Sequence, residues 1–276
     1  MTVEPDISGH YTSGKLMERL GAALREDGAD PARPTAADLA PYDQFHSRGL
    51  EATEELARSL TVGAGDRILD IGSGIGGPAR YFAATYGCRV VGIDLTAEFC
   101  DVARTLTRAL GLDRLVDFTH GNALKMPFPA AGFDGAYSMN VSMNIADKPA
   151  LYREIARVLK PGAWLALSEV ARGPGPAPAY PTPWAAAADA SFLATPEETR
   201  RRLEEAGFAI EKWRDTLAEA LAYGARSRAA VERGEKPPHR AVMLIHGAAA
   251  AAMAANVARG LGAGGLIPIE ALCRKK

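Results

Sequence analysis

The chain has 276 residues, and 32 lysines and arginines stand against 33 aspartates and glutamates for a formal net charge of -1. The length suits one α/β domain with additions, or two small domains, and with 47% hydrophobic and 24% charged residues it is enough to bury a substantial core. The balanced charge gives no ground for a nucleic-acid partner or a membrane surface. Cys88, Cys100 and Cys273 have neither zinc-ligand spacing nor the density of a disulfide framework, so no metal is expected and the thiols are read as reduced, in the cytoplasm.

In chain order, the N-terminus has no apolar core and no signal pattern. Ser13 is read as the cap of a helix with Leu16, Leu20, Ala23 and Leu24 on one face. A loop rich in Pro, Ala and Asp is expected over residues 28–41. Leu50, Thr53, Leu56, Ala57 and Leu60 then recur at helical spacing, closed by Gly63 and Gly65. From Asp66 the pattern changes. RILDI, RVVGID, LVDFTH, FDGAYSM and WLALSEV are short apolar runs that read as strands, separated by helical stretches such as PARYFAATYG. Strands and helices alternating in this way predict a doubly wound, Rossmann-like, mostly parallel sheet. The proline-rich run GPGPAPAYPTP is neither helix nor central strand, and reads as a loop over the strand ends. FAIEKWRD is a sixth strand, followed by helices over about 217–232 and 239–260. The alanine-rich residues 241–257 read as a buried helix rather than a membrane span. Residues 266–273 are expected to return as an antiparallel edge strand. The organisation expected is an N-terminal helical cap (1–62) and a main domain (63–276), with a lid loop (171–194) and a helical insertion (216–263).

The informative segment is Asp70-Ile71-Gly72-Ser73-Gly74-Ile75-Gly76-Gly77, which follows a strand and opens a helix. Its glycines permit a sharp turn and let a ligand lie against bare backbone. Asp94 ends the second strand, where a carboxylate can accept bonds from both hydroxyls of a ribose. Gly72, Gly74 and Gly77 also satisfy the dinucleotide pattern G-x-G-x-x-G. Asp70 would repel a pyrophosphate at this turn and favour a cationic ligand; alternatively it only caps the turn.

ILDIGSGIGGPARY is similar to the first motif of the class I S-adenosylmethionine-dependent methyltransferases. VGIDL, HGNALKMPFPAAGFDGAYSMN and LYREIARVLKPGAWLALSEV resemble that family's later motifs in the same order, over roughly residues 63–170. The resemblance implies S-adenosyl-L-methionine as cofactor, with S-adenosyl-L-homocysteine as product. It implies that Asp70, Gly72, Ser73, Gly74 and Gly76 form the loop on the methionine part. Asp94 would hold the ribose, and Leu95, Asn122 and Ala123 the adenine, with Asn122 where most relatives carry aspartate. Asn140 would approach the methionyl group. HYTSGKLMERL also looks like sarcosine/dimethylglycine-type N-methyltransferases, which implies Tyr11 as a lid contact and tilts the acceptor atom to nitrogen.

For the acceptor, His46 and Glu169 are candidate bases or orienting groups. Ser142 and Asn144 form a polar cluster with Asn140, and Tyr180 and Trp184 are candidate walls of the substrate pocket or anchors of the proline-rich loop. His10, His239 and His246 have no constellation in sequence. The expected partner is a small-molecule methyl acceptor, on a monomer or homodimer. Two alternatives stand beside methyl transfer: a nicotinamide-dependent oxidoreductase, and a non-catalytic cofactor-binding subunit.

Overall fold

The computed structural model describes residues 7–12 and 14–276, so the Ser13 cap lies outside the described residues. The helices are α1 (Ile7–Tyr11), α2 (Leu16–Glu26), α3 (Ala36–Asp43), α4 (Gly49–Arg58), α5 (Gly77–Tyr86), α6 (Ala97–Ala109), α7 (Lys148–Val158), α8 (Pro196–Glu205), α9 (Leu217–Glu232), α10 (Ala241–His246) and α11 (Ala250–Gly262). The strands are β1 (Arg67–Ile71), β2 (Arg89–Asp94), β3 (Val116–His120), β4 (Phe133–Met139), β5 (Leu159–Arg172), β6 (Phe208–Asp215) and β7 (Leu266–Lys275).

Among the described residues the strands form one sheet in the order β3-β2-β1-β4-β5-β7-β6. The pairs β1–β2, β1–β4, β2–β3 and β4–β5 are parallel, and β7 runs antiparallel to both its neighbours. The returning strand therefore inserts one place in from the edge, and β6 takes the edge itself. Its run of small and apolar residues, buried from Leu266 through Cys273 at most positions, suits a strand covered on both sides.

The period of two sends side chains to opposite faces. Ile68, Val90, Phe118 and Tyr137 pack under α4, α5 and α6. Leu69, Ile71, Ala136 and Leu165 pack under α7 and α8, with Phe208 from the edge strand. α2, α3 and α10 make a further layer: Leu16, Leu20, Leu39, Leu244 and Ile245 meet Phe99, Val102 and Leu106 of α6.

Two expectations change. The loop over 28–41 ends early, because Thr35 caps α3: its hydroxyl accepts the Asp38 N–H while the Asp38 carboxylate accepts the Thr35 N–H. Pro41 sits inside this helix. The single helix over 239–260 is two, broken at Gly247, whose φ is 56°. Ala241–Gly262 is long and apolar enough by composition to cross a membrane, yet only 28% of its apolar window is buried. The helix expected to be buried is thus covered over little more than a quarter of that window. Ala250, Met253, Asn256 and Gly260 face the protein, and the other alanines face outward.

Candidate functional site

A cavity of about 610 Å³ opens at the carboxyl ends of β1, β2 and β4. This is where the strand order reverses, because β1 lies between β2 and β4, and where open α/β sheets bind ligands. The volume falls within the range of small-molecule pockets, about 300–1,000 Å³.

The floor is the turn after β1. The Gly72 and Ser73 amides donate to the Ile93 carbonyl at 2.8 and 3.1 Å, which folds the turn onto β2. Gly72 and Gly74 have φ of 70° and 52°. A Cβ at Gly72 would sit 2.3 Å from the Val141 side chain, whereas nothing lies within 4 Å of one at Gly74. Asp70 and Ser73 line the cavity with these two glycines. Gly76 does not: it starts α5 at φ 85°, and a Cβ there would strike Phe118 and Arg80. A glycine is needed there to set the start of the helix.

Asp70 is 3% exposed, and its Oδ2 has no hydrogen-bond partner. Burial pushes its carboxyl up to about 7, and the nearby charge of Asp94 adds to the rise. Asp94 Oδ2 accepts the Gly74 N–H and its Oδ1 the Thr96 N–H, both at 2.8 Å. Burial raises this carboxyl too, against those two bonds. Leu95, Asn122 and Ala123 line the adjoining wall. The Asn122 Oδ1 accepts the Leu124 N–H at 2.8 Å, so one of its lone pairs is committed to its own turn. Asn140 lines the cavity in a left-handed conformation, φ 57°, with its amide bonded to the Ser168 carbonyl at 2.7 Å. Side chains held in that region gather at functional sites.

Tyr11 of α1 closes the opposite side. Its hydroxyl donates to the Asn144 Oδ1 at 3.1 Å, and both residues line the cavity. The Tyr11 ring packs against Phe45 and Phe99. His10 and His246, unplaced by sequence, meet beside it with ring centroids 4.8 Å apart, and Nε2 of each faces the Pro183 carbonyl at 3.3 and 3.2 Å. α1, α10 and the proline-rich loop are thereby joined at one point.

The acceptor candidates separate. His46 lines the cavity, but its nitrogens are turned to protein: Nδ1 to the Ser47 carbonyl at 3.2 Å and Nε2 to the Thr53 hydroxyl at 3.0 Å. Burial pulls its pKa down to about 3, so the ring is neutral and a weak base. Glu169 does not line the cavity. Its carboxylate, 3% exposed, accepts the Val141 and Ser142 amides at 3.1 Å each and shapes the turn after β4; burial pushes it up to about 7. Ser142 is buried in that same turn. Tyr180 and Trp184 also stand away from the cavity. They pack with Met143, Val170 and Leu266, and the Trp184 indole N–H donates to Ser191 Oγ at 2.9 Å. Their large apolar surfaces anchor the proline-rich loop, which has few backbone bonds of its own.

From that loop it is Asp189 and Phe192 that reach the cavity. Lys148 holds this part of the loop. Its Nζ donates to the Ser142, Ile145 and Phe192 carbonyls, and burial lowers its pKa to about 8. Sequence reasoning missed Phe45, Ile145 and Phe192, which follow no motif spacing. A lysine directly after the N-cap Asp147, in an otherwise amphipathic helix, was the available signal for Lys148.

A nucleoside-type cavity at a parallel switch point, floored by an acidic glycine turn, defines the fold of class I methyltransferases. Residues 69–167 match the family described as methyltransferase domain. It is 38% identical over 126 residues to phosphoethanolamine N-methyltransferase 1 of Arabidopsis thaliana, covering 46% of this chain and 25% of that protein. It is 33% identical over 133 residues to the methyltransferase GfsG of Streptomyces halstedii, covering 48% of each. The chain thus matches a quarter to about half the length of these relatives. Among solved structures, geranyl diphosphate C-methyltransferase of Streptomyces coelicolor superposes with a TM-score of 0.72 at 19% identity, over 100% of this chain and 99% of that one. The [4+2]-cyclase SpnF superposes at 0.68 and 23%, over 94% of both. A protein of sarcosine dimethylglycine methyltransferase type from Galdieria sulphuraria superposes at 0.67 and 19%, over 82% and 86%. At these identities the structural likeness carries the fold.

Proposed function

We propose that the protein transfers a methyl group from S-adenosyl-L-methionine to a small-molecule acceptor, on nitrogen, in the cytoplasm. The observation that carries this reading is Asp70: a carboxylate 3% exposed that lines the cavity with Gly72, Ser73 and Gly74. A pyrophosphate would be repelled there, whereas a ligand with an ammonium and a sulfonium meets an opposite charge. This weighs against the nicotinamide alternative.

In this reading Asp70 and Asn140 hold the methionine part over Gly72, Ser73 and Gly74. Asp94 uses its remaining lone pairs on the ribose, Leu95, Asn122 and Ala123 enclose the adenine, and Tyr11 closes over the site. The cofactor, when bound, supplies a methyl group on a sulfonium, an electrophile that needs an aligned nucleophile more than a strong catalyst. Nitrogen is favoured on two grounds. An amine, once unprotonated, needs no general base, and the two candidate bases are spent elsewhere: His46 is a neutral ring turned to Thr53, and Glu169 is bound to backbone amides. The phosphoethanolamine relative is, by name, an N-methyltransferase.

A second reading, cofactor binding without methyl transfer, is favoured by one observation: a structural neighbour covering 94% of both chains is described as a [4+2]-cyclase. The test is methyl transfer from labelled cofactor across a metabolite library. Label in at least one amine is expected. A protein that binds S-adenosylhomocysteine yet labels nothing would move the conclusion to the second reading.

A further inference from the structure

We infer that the acceptor is a hydrophobic amine that carries neither phosphate nor carboxylate. This rests on the methyl-transfer reading above and names the class of molecule its pocket takes. Among the described residues, no lysine or arginine lines the cavity, while five aspartates do: Asp43, Asp70, Asp94, Asp147 and Asp189. The seven residues outside the described set contain no lysine or arginine either.

The aspartates divide by position. Asp43 is closed off by the Arg80 guanidinium at 2.9 Å. Asp70 and Asp94 belong to the cofactor side. Asp147 and Asp189 stand exposed, one capping α7, where its Oδ1 accepts the Ala150 N–H at 2.9 Å, and one in the proline-rich loop. Both lie outside the motifs read for the cofactor and are assigned to the acceptor side on that ground. The walls there are apolar: Phe45, Met139, Ile145 and Phe192. Among the described residues, three buried cations lie near the lining residues, and all are committed: Arg48 pairs with Glu55 and Glu270. Arg80 bonds Asp43, the Ala103 carbonyl and Thr107, and Lys148 gives its three protons to the Ser142, Ile145 and Phe192 carbonyls.

A phosphate or carboxylate on the acceptor would enter a low-dielectric space with acids around it and no cation to meet it. Phosphate recognition by side chains relies on arginine forks or lysine. The named substrate of the N-methyltransferase relative is a phosphomonoester, and the C-methyltransferase relative is seen with a diphosphate analogue and Mg2+. Among the described residues this pocket has neither a lysine or arginine nor a cluster of acids and histidines able to hold a metal ion. An amine suits it twice. As an ammonium it is drawn to Asp147 and Asp189, and after giving its proton to water it is a neutral nucleophile among apolar walls.

The experiment uses full-length protein saturated with S-adenosylhomocysteine for binding, and with labelled S-adenosylmethionine for transfer. The probes are phenethylamine and octylamine, each against its carboxylate-bearing counterpart, phenylalanine and 8-aminooctanoate, with phosphoethanolamine as the phosphate-bearing probe; these three are the anionic-group probes. Saturation by S-adenosylhomocysteine is established first; its failure would sink the methyl-transfer reading and not the pocket's charge preference. The expected result is binding of at least one amine, at least tenfold tighter than its anionic counterpart. Asp189→Lys should cut that ratio at least threefold. Anionic probes binding as tightly as the amines, or no amine binding at all, would overturn the inference.

Discussion

Asp70 lies at the end of β1 with Oδ2 unpartnered and its carboxyl raised to about 7 by burial. For an acid whose folded pKa exceeds its unfolded value of about 3.8, folding favours the protonated form. Ligand-free stability should therefore fall as pH rises from about 4 to 7, and Glu169, also raised to about 7, adds to the fall. A cationic ligand favours ionised Asp70, so the stabilisation given by S-adenosylmethionine should grow over the same interval. Thermal unfolding from pH 5 to 8, with and without cofactor, reads both trends. Asp70→Asn should flatten the cofactor's pH dependence; an unchanged slope would place the titrating group elsewhere. Asp70, Asp94 and Asn140 line the cavity, and their places at strand ends are legible in the sequence through motif spacing. His46 and Glu169 are turned to protein partners, which the sequence hid for a common reason. A polar residue near a strand end is visible in sequence, but the groups that consume its lone pairs, here Thr53 and the Val141 and Ser142 amides, come from other segments.

At the scale of elements, the proline-rich loop reaches the cavity only through its last part, and Lys148 ties that part to the turn after β4. Lys148→Met removes the ammonium that the Ser142, Ile145 and Phe192 carbonyls share, at a cost of about 1–3 kcal/mol. The expected outcome is a lower unfolding midpoint and a raised KM for the acceptor, with cofactor affinity within about twofold, since Asp189 and Phe192 lie on the acceptor side. A change in cofactor affinity larger than in acceptor KM would contradict this division. The same elements show where periodicity succeeds and where it stops. The ranges of β1, β2, β4, β6 and α9 follow directly from apolar pattern and turn residues. α3 hid in a loop because Pro41 argues against helix, although the Thr35–Asp38 capping box was there to be read. The break at Gly247 hid in an alanine-rich run, where many residues favour helix and one glycine sets the chain's direction.

For the whole molecule, alternating strands and helices sufficed for the layered sheet, and four ordered motifs for the domain family. They did not place β7 one position in from the edge, because strand order is settled by packing between elements distant in sequence. Nor did they show that α1, α10 and the loop at Pro183 meet beside Tyr11. The central claim is that the acidic glycine turn binds S-adenosylmethionine and not a dinucleotide. Calorimetric titration of the protein, and of Asp94→Ala, with S-adenosylhomocysteine and with NAD tests it most directly. S-adenosylhomocysteine should bind the wild-type protein with a Kd that Asp94→Ala weakens at least tenfold, about 1.4 kcal/mol, while NAD gives no heat of binding. Saturable binding of NAD without binding of S-adenosylhomocysteine would contradict the account.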